Sequence, residues 1–523
     1  MWHSCLARAF CGALALVLCA CAPNVPYRTH LVQADEVKCS LANVQKPGDP
    51  QARKNCEHVT PEVDDVYELH FVEFDDQGWL YPEISASGDR LVTEPSRQID
   101  HLMERIRQLL DQQKDLSIIV FVHGWKHGAQ LEDPNVVEFR TLLHSLGNLE
   151  NSRPRPRKVV GVYVAWRGKS WEVSDPMLSL SFWARKEAAK RVSLGSAREL
   201  FARLRAIRRH YDQSAPGEPT TGAASEQAEH PPRIRMLMIG HSFGGLILYS
   251  AMSGSLIEAL TAQQDLKNCE NGEDVADRPA DMIVLINPAF EASRYEALYH
   301  VALHYKPTQF QPPLFVSVTS TADWATGIAF PIGRSVNAFF EHPITSPDEE
   351  VAMKKTPGHI QRYLTHRLYG HAPGTPSSAN NGVPDSSVYC PTTLWTSATD
   401  LEGLQGKALV DAIKENKKLE NRLSAEFFRQ NLTSDGLLLK PKWVRSFCGG
   451  GYLMPVDDND GDAVRNANAV VWNVETDGDV IKNHDDVMGD TFQAFVRQLY
   501  ADISSHPVTK GAHRDCDSPG SRP

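Results

Sequence analysis

The sequence is short of positive charge. Its 54 lysines and arginines are outnumbered by 65 aspartates and glutamates, leaving a formal net charge of -11. Binding to phosphates needs a basic field that dominates locally, so nucleic acid is excluded as the main partner. No Cys-x-x-Cys pair and no His/Cys spacing of the zinc type is present, so no metal site is expected. The run Asp457-Asp458-Asn459-Asp460-Gly461-Asp462 has the acidity of a calcium loop. It lacks the glycine offset and distal glutamate of one, and reads as a solvated turn. There is no internal repeat, and the apolar run at 13–18 is too short to span a bilayer as a permanent helix.

What is present is the make-up of an ordinary globular protein, 41% hydrophobic and 23% charged. The 523 residues suffice for about three average domains or one large α/β unit. Residues 67–74 alternate as a strand does, and Ile99, Leu102, Met103, Ile106, Leu109 and Leu110 form a helical stripe. Nearly continuous apolar runs follow at 118–122, 159–164, 236–239, 282–286, 314–318 and 469–474. Runs of this length between helix-like stretches predict parallel strands covered on both faces, hence an α/β fold with a mostly parallel central sheet.

Residues 1–20 pair a weakly positive start, including Arg8, with the short apolar run and small residues, as in a secretory signal. At its end Leu18-Cys19-Ala20-Cys21 resembles a bacterial lipobox, with Leu three and Ala one residue before Cys21. That resemblance implies acylation at Cys21 and a membrane anchor of several acyl chains. Ala22 after the cysteine resembles outer-membrane sorting. Residues 21–64, rich in Pro, Asn, Asp and Gln without a sustained period, are expected to be a tether. Six further cysteines, Cys39, Cys56, Cys269, Cys390, Cys448 and Cys516, permit disulfides in an exported chain, with Cys39–Cys56 the expected local pair.

The folded body is expected over 65–345 and 466–503, with 504–523 a flexible tail. Between the two parts, 346–465 reads as an insertion forming a cap or side lobe, with a long helical candidate at 406–432. Stretches 213–232 and 373–387 read as surface loops or disordered segments. A basic helical stretch at 182–211 reads as a solvated face, with contact to anionic lipid as its functional alternative.

The sharpest motif is Gly240-His241-Ser242-Phe243-Gly244, directly after a buried strand and before the helix-compatible run 246–249. A nucleophile on a sharp strand-to-helix turn needs flanking glycines, because side chains there would collide with the strained backbone and the adjacent helix. With this motif in this context, the chain resembles the esterase and lipase branch of the α/β-hydrolase superfamily from about Tyr67 to Tyr500, interrupted by the insertion.

The resemblance implies Ser242 as nucleophile, then an acid after a late strand, then a histidine after the last one. Asp323, in Ser320-Thr321-Ala322-Asp323-Trp324, fits the acid, ahead of Asp281, Asp477 and Asp479. His484, between the strand at 470–475 and a closing amphipathic helix, fits the base, ahead of His359 and His366 inside the insertion. Phe121-Val122-His123-Gly124-Trp125 matches the family's His-Gly-X element, so the Trp125 and Phe243 amides are the expected oxyanion donors. His123 is expected to shape that loop rather than to take protons. The family's HGGG variant is absent. Trp166-Arg167-Gly168 and Asn287-Pro288-Ala289-Phe290 follow strands where α/β folds bind ligands, and read equally as pocket lining or as packing.

The expected activity is cleavage of carboxylic esters, including those of lipids, through an acyl-enzyme and without a cofactor. Phospholipid, thioester or amide cleavage on the same residues is the near alternative, because a shared centre leaves the choice to the pocket. A non-catalytic envelope scaffold is the alternative from another class. The expected location is the bacterial cell envelope.

Overall fold

A computed structural model describes residues 24–34, 36, 38–39, 44, 50–84, 90–169, 182–214, 232–266, 278–307, 309–337, 346–370, 407–448, 451–456, 467–486 and 488–505. The signal run with Cys21, the loop 373–387, most of 213–232, the acidic turn 457–462, nearly all of the tail, and Cys269, Cys390 and Cys516 lie outside them.

The short apolar runs are strands of one 11-stranded sheet. In chain order these are β1 (Glu62–Val63), β2 (Tyr67–Phe74), β3 (Leu116–Val122), β4 (Lys158–Trp166), β5 (Ile234–His241), β6 (Met282–Ile286), β7 (Phe315–Ser320), β8 (His366–Tyr369), β9 (Arg445–Ser446), β10 (Tyr452–Pro455) and β11 (Val471–Thr476). The spatial order is β9-β10-β8-β11-β7-β6-β5-β3-β4-β2-β1. From β8 to β2 every neighbour is parallel, and antiparallel pairing is confined to the two edges.

Alternation along each strand divides the core. Ile118, Val120 and Val122 of β3 join the cluster under α1 (Gln98–Asp111), α3 (Phe182–Leu194), α4 (Ala197–Ser214) and α5 (Phe243–Leu266). Ile119 and Phe121 face the other cluster, under α2 (Pro134–Asn151), α6 (Lys407–Asn431) and α7 (Asp490–Ser505). With both faces covered, the central strands β3, β5 and β6 are buried along their whole length and mostly apolar, as parallel sheets require. Segment 243–261 of α5 is long and apolar enough to cross a membrane, yet 61% of it is buried inside the protein, as befits a core helix.

Three expectations need correction. The segment read as a tether is packed onto the body in its described part: β1 pairs with β2, and the Cys39–Cys56 disulfide is formed. Arg28 is buried, its guanidinium 2.8 Å from Glu62 and 3.9 Å from the centre of the Phe71 ring. Glu62 also receives two 2.7 Å bonds from Arg140. Burial pushes the Glu62 carboxyl up, but Arg140 and Arg28 outweigh it and hold it below the ordinary value. Breaking such a buried set by removing one partner costs about 3–5 kcal/mol, so this is no loose linker.

The insertion, in turn, extends the sheet. Its β8 pairs with β11, β10 with β8 and β9 with β10, continuing the sheet past the last core strand. The basic stretch, finally, comprises α3 and α4 and is largely paired. Lys186 reaches Glu291 at 2.6 Å, Arg185 Asp76 at 2.5 Å and Arg208 Asp281 at 3.0 Å. Asp281 is thereby a structural partner.

Candidate active site

The site lies along the carboxyl ends of β5, β7 and β11. Between β5 and α5 the chain turns at Ser242, whose φ of 54° is in the left-handed region that non-glycine residues seldom occupy. A side chain at Gly240 would put its Cβ 2.8 Å from the Gly244 carbonyl oxygen, and one at Gly244 would lie 2.0 Å from that of Val122. Both glycines are therefore dictated by main-chain contacts. The Ser242 amide donates to the Ile286 carbonyl at 2.9 Å, tying the strained residue to the end of β6.

Asp323 follows β7, and His484 lies in the loop between β11 and α7. Ser242 Oγ is 2.7 Å from His484 Nε2, and His484 Nδ1 is 2.9 Å from Asp323 Oδ2. The imidazole thus donates through Nδ1 to the carboxylate and presents its Nε2 lone pair to the hydroxyl. Asp323 Oδ2 also accepts from Thr326 Oγ1 at 2.5 Å, while Oδ1 accepts from the Ala325 and Thr326 amides at 2.8 and 3.3 Å. Burial alone would push the Asp323 carboxyl up. The hydrogen bond and charge of His484, with the Thr326 donors, outweigh it and hold the carboxyl below its usual value.

The loop after β3 approaches from the other side. A Cβ on Gly124 would sit 2.9 Å from that of Ser242, so only glycine lets the His-Gly-Trp element come so close. Among the described residues, neither the Trp125 nor the Phe243 amide donates to another protein group. His123 is buried, bonded through Nδ1 to the Gly124 carbonyl and through Nε2 to the Trp166 amide. Burial brings its pKa down to about 4, so it stays neutral and braces the loop. Trp166 and Gly168 belong to that bracing: Trp166 Nε1 donates to the His123 carbonyl, and the Lys126 amide to that of Gly168. Phe182 packs on both Trp125 and Phe243, with ring centres 5.2 and 4.7 Å away, giving the site an aromatic wall.

Other supports escaped the sequence reading. His241, named above only as part of the motif, is fully buried and donates from Nε2 to the His484 carbonyl at 2.8 Å. Burial, with His484 and His127 adding, holds it well below the ordinary histidine value, so it remains a neutral strut. Asn287, read above as pocket lining or packing, instead links the ends of β6 and β7 to the histidine loop: at φ 44° it accepts from the Ser320 amide at 2.9 Å and reaches the Asn483 carbonyl at 3.5 Å. An asparagine directly after a buried strand, able to adopt the left-handed region, was the available signal. Asn483 caps the amides of Asp485 and Asp486 at 2.9 Å each, fixing the turn that carries His484.

The rival histidines are otherwise engaged. His366 packs on Trp472 and Trp443, with ring centres 4.6 and 5.3 Å apart. His359 Nε2 lies 3.2 Å from Thr326 Oγ1, whose hydroxyl bonds the same Asp323 oxygen as His484. Among the described residues no group of three His, Cys, Asp or Glu side chains is placed to hold a metal ion. No family model, curated protein or solved structure matches the chain.

Proposed function

We propose that this chain is a serine hydrolase of the α/β-hydrolase fold that cleaves carboxylic esters through an acyl-enzyme. The observation that carries the reading is the continuous relay Ser242 Oγ, His484 Nε2, His484 Nδ1, Asp323 Oδ2, with links of 2.7 and 2.9 Å. Nucleophile, acid and base come from the ends of β5, β7 and β11 in that chain order, as the fold has them. In this reading Ser242 attacks the ester carbonyl while His484 takes its proton through Nε2. The negative oxygen of the tetrahedral intermediate meets the Trp125 and Phe243 amides, each worth about 3 kcal/mol to the transition state. Phe243 adds the positive end of the α5 dipole. The imidazolium, stabilised by Asp323, gives its proton to the leaving alcohol, and water then releases the acid by the same route.

The test is labelling by a fluorophosphonate probe. Wild type is expected to react and Ser242→Ala not to, whereas equal labelling of both defeats the reading. A panel of esters, thioesters, amides and phospholipids separates the chemistries this centre can serve. Acylation at Cys21 belongs to the same proposal, supported by the apolar run and the Leu18-Cys19-Ala20-Cys21 sequence. It predicts that Cys21→Ser moves the protein out of the membrane fraction.

A further inference from the structure

At Asp323 Oδ2, the oxygen that His484 also meets, the inserted segment delivers a second histidine through the Thr326 hydroxyl. His359 ends a short 3-10 turn, Pro357–His359, that is clamped to the same two strands whose ends carry Asp323 and His484. A Cβ on Gly358 would lie 2.1 Å from Thr319 Oγ1 of β7, so only glycine permits the approach. Asn473 of β11 donates from Nδ2 to the Pro357 carbonyl at 3.1 Å. The imidazole then lies against Gly327, whose Cβ would be 3.4 Å from His359 Cε1.

The proton count settles the polarity of the contact. Thr326 Oγ1 gives its hydrogen to Asp323 Oδ2 and has only lone pairs left for His359 Nε2 at 3.2 Å. A nitrogen lone pair facing oxygen lone pairs repels, so Nε2 carries the hydrogen and Nδ1 is the nitrogen that titrates. We propose that His359 is a positioning residue of the hydrolytic centre, acting through the Thr326 hydroxyl to orient Asp323 and, when protonated, weakening the hold of Asp323 on His484. The inference rests on the hydrolase reading above.

Physically, the neutral His359 N–H polarises the Thr326 hydroxyl toward the carboxylate, as chains of hydrogen bonds do in a low-dielectric interior. A positive charge on His359 competes with the His484 imidazolium for the same carboxylate. The charged groups facing the ring are Asp323 and Glu475, which favour its protonation, and Lys355, which opposes it. Burial outweighs them and sets the ionisation below the usual histidine value. The effect therefore belongs to the acid limb of the rate profile.

The experiment measures ester turnover between about pH 4 and pH 9, with probe labelling as the first control, for wild type and four variants. Thr326→Val is expected to lower kcat roughly tenfold or more, the loss of one hydrogen bond to a charged group, and Thr326→Ser to restore it. His359→Gln, which keeps a donor but cannot titrate, should lose less neutral-pH rate than His359→Leu while making the acid limb of kcat/KM shallower than in wild type. His359→Leu should lose rate and also shift the downfield proton resonance of His484 Nδ1–H. A labelled, active wild type whose His359→Leu and His359→Gln variants keep its rate and its acid limb overturns the relay alone. A wild type that neither takes the probe nor turns over esters overturns the relay together with the hydrolase reading.

Discussion

Replacing Asp323 with asparagine changes one atom, and the surrounding donors dictate how the new side chain must sit. Oδ1 already accepts from the backbone amides of Ala325 and Thr326. An amide nitrogen there would face two N–H groups, so the carboxamide oxygen takes that position and the NH2 group takes the place of Oδ2. There it stands 2.9 Å from His484 Nδ1 and donates to it. The imidazole must then carry its hydrogen on Nε2, pointing at Ser242 Oγ, and has no lone pair to receive the serine proton. A wrong tautomer of this kind costs about 10⁴ in kcat, or about 5.4 kcal/mol in the barrier. KM should change little, because the substitution touches no substrate-facing group. Steady-state hydrolysis of a p-nitrophenyl ester measures the loss, with circular dichroism and thermal melting to verify that the fold survives. A well-folded Asp323→Asn protein with less than about a tenfold fall in kcat refutes the assignment of Asp323 as the group that holds the imidazole.

Gly244→Ala places a Cβ 2.0 Å from the Val122 carbonyl oxygen and 2.5 Å from that of His123, both main chain. It should cost about 1–3 kcal/mol in urea unfolding and abolish probe labelling, and wild-type values for both contradict the packing argument. Burial, with Asp486 and Asp133 adding, raises the Glu138 carboxyl to about 8. Between its ordinary value and about 8 the folded chain keeps a proton that the unfolded chain has released, so stability falls with rising pH by up to about 1.4 kcal/mol per unit. Glu138→Gln should flatten that slope between about pH 5 and pH 8 in urea titrations, and an unchanged slope speaks against the assignment. The Cys39–Cys56 bridge spans a sequence separation of 17, so Cys56→Ser should lower stability by about 3 kcal/mol, with faster trypsin cleavage at Arg53 and Lys54. Cleavage at the wild-type rate counts against a stapled segment.

Much of the central architecture was legible because it is written in local patterns. The apolar runs at 118–122 and 236–239 are too short and too uniformly apolar for surface helices, and both fall within strands buried on their two faces. The elbow was legible because its turn permits only glycine at 240 and 244, where main-chain oxygens crowd the missing side chains. Less visible were the edges of the sheet. Strands β1 and β9 are two residues long and β8 and β10 four, too short for any period to emerge. The packed N-terminal segment was hidden for another reason: it is held by a charged pair, Glu62 with Arg140, 78 residues apart. No local pattern announces such a pairing.

By itself, then, the sequence determined the order of the central strands and the helices between them and the strained turn at Ser242, since each depends on neighbours within a few residues, while the loops in which to seek an acid and an imidazole came from the resemblance. Only the tertiary structure decided which of several histidines meets Ser242, that the inserted segment extends the sheet, and that His241, Asn287 and Thr326 brace the centre. Apart from the Thr326–Asp323 bond, three positions apart, those outcomes depend on distances between groups that the chain itself leaves some 30 to 240 positions apart. They exist only once parallel strands bring their carboxyl ends to a common edge.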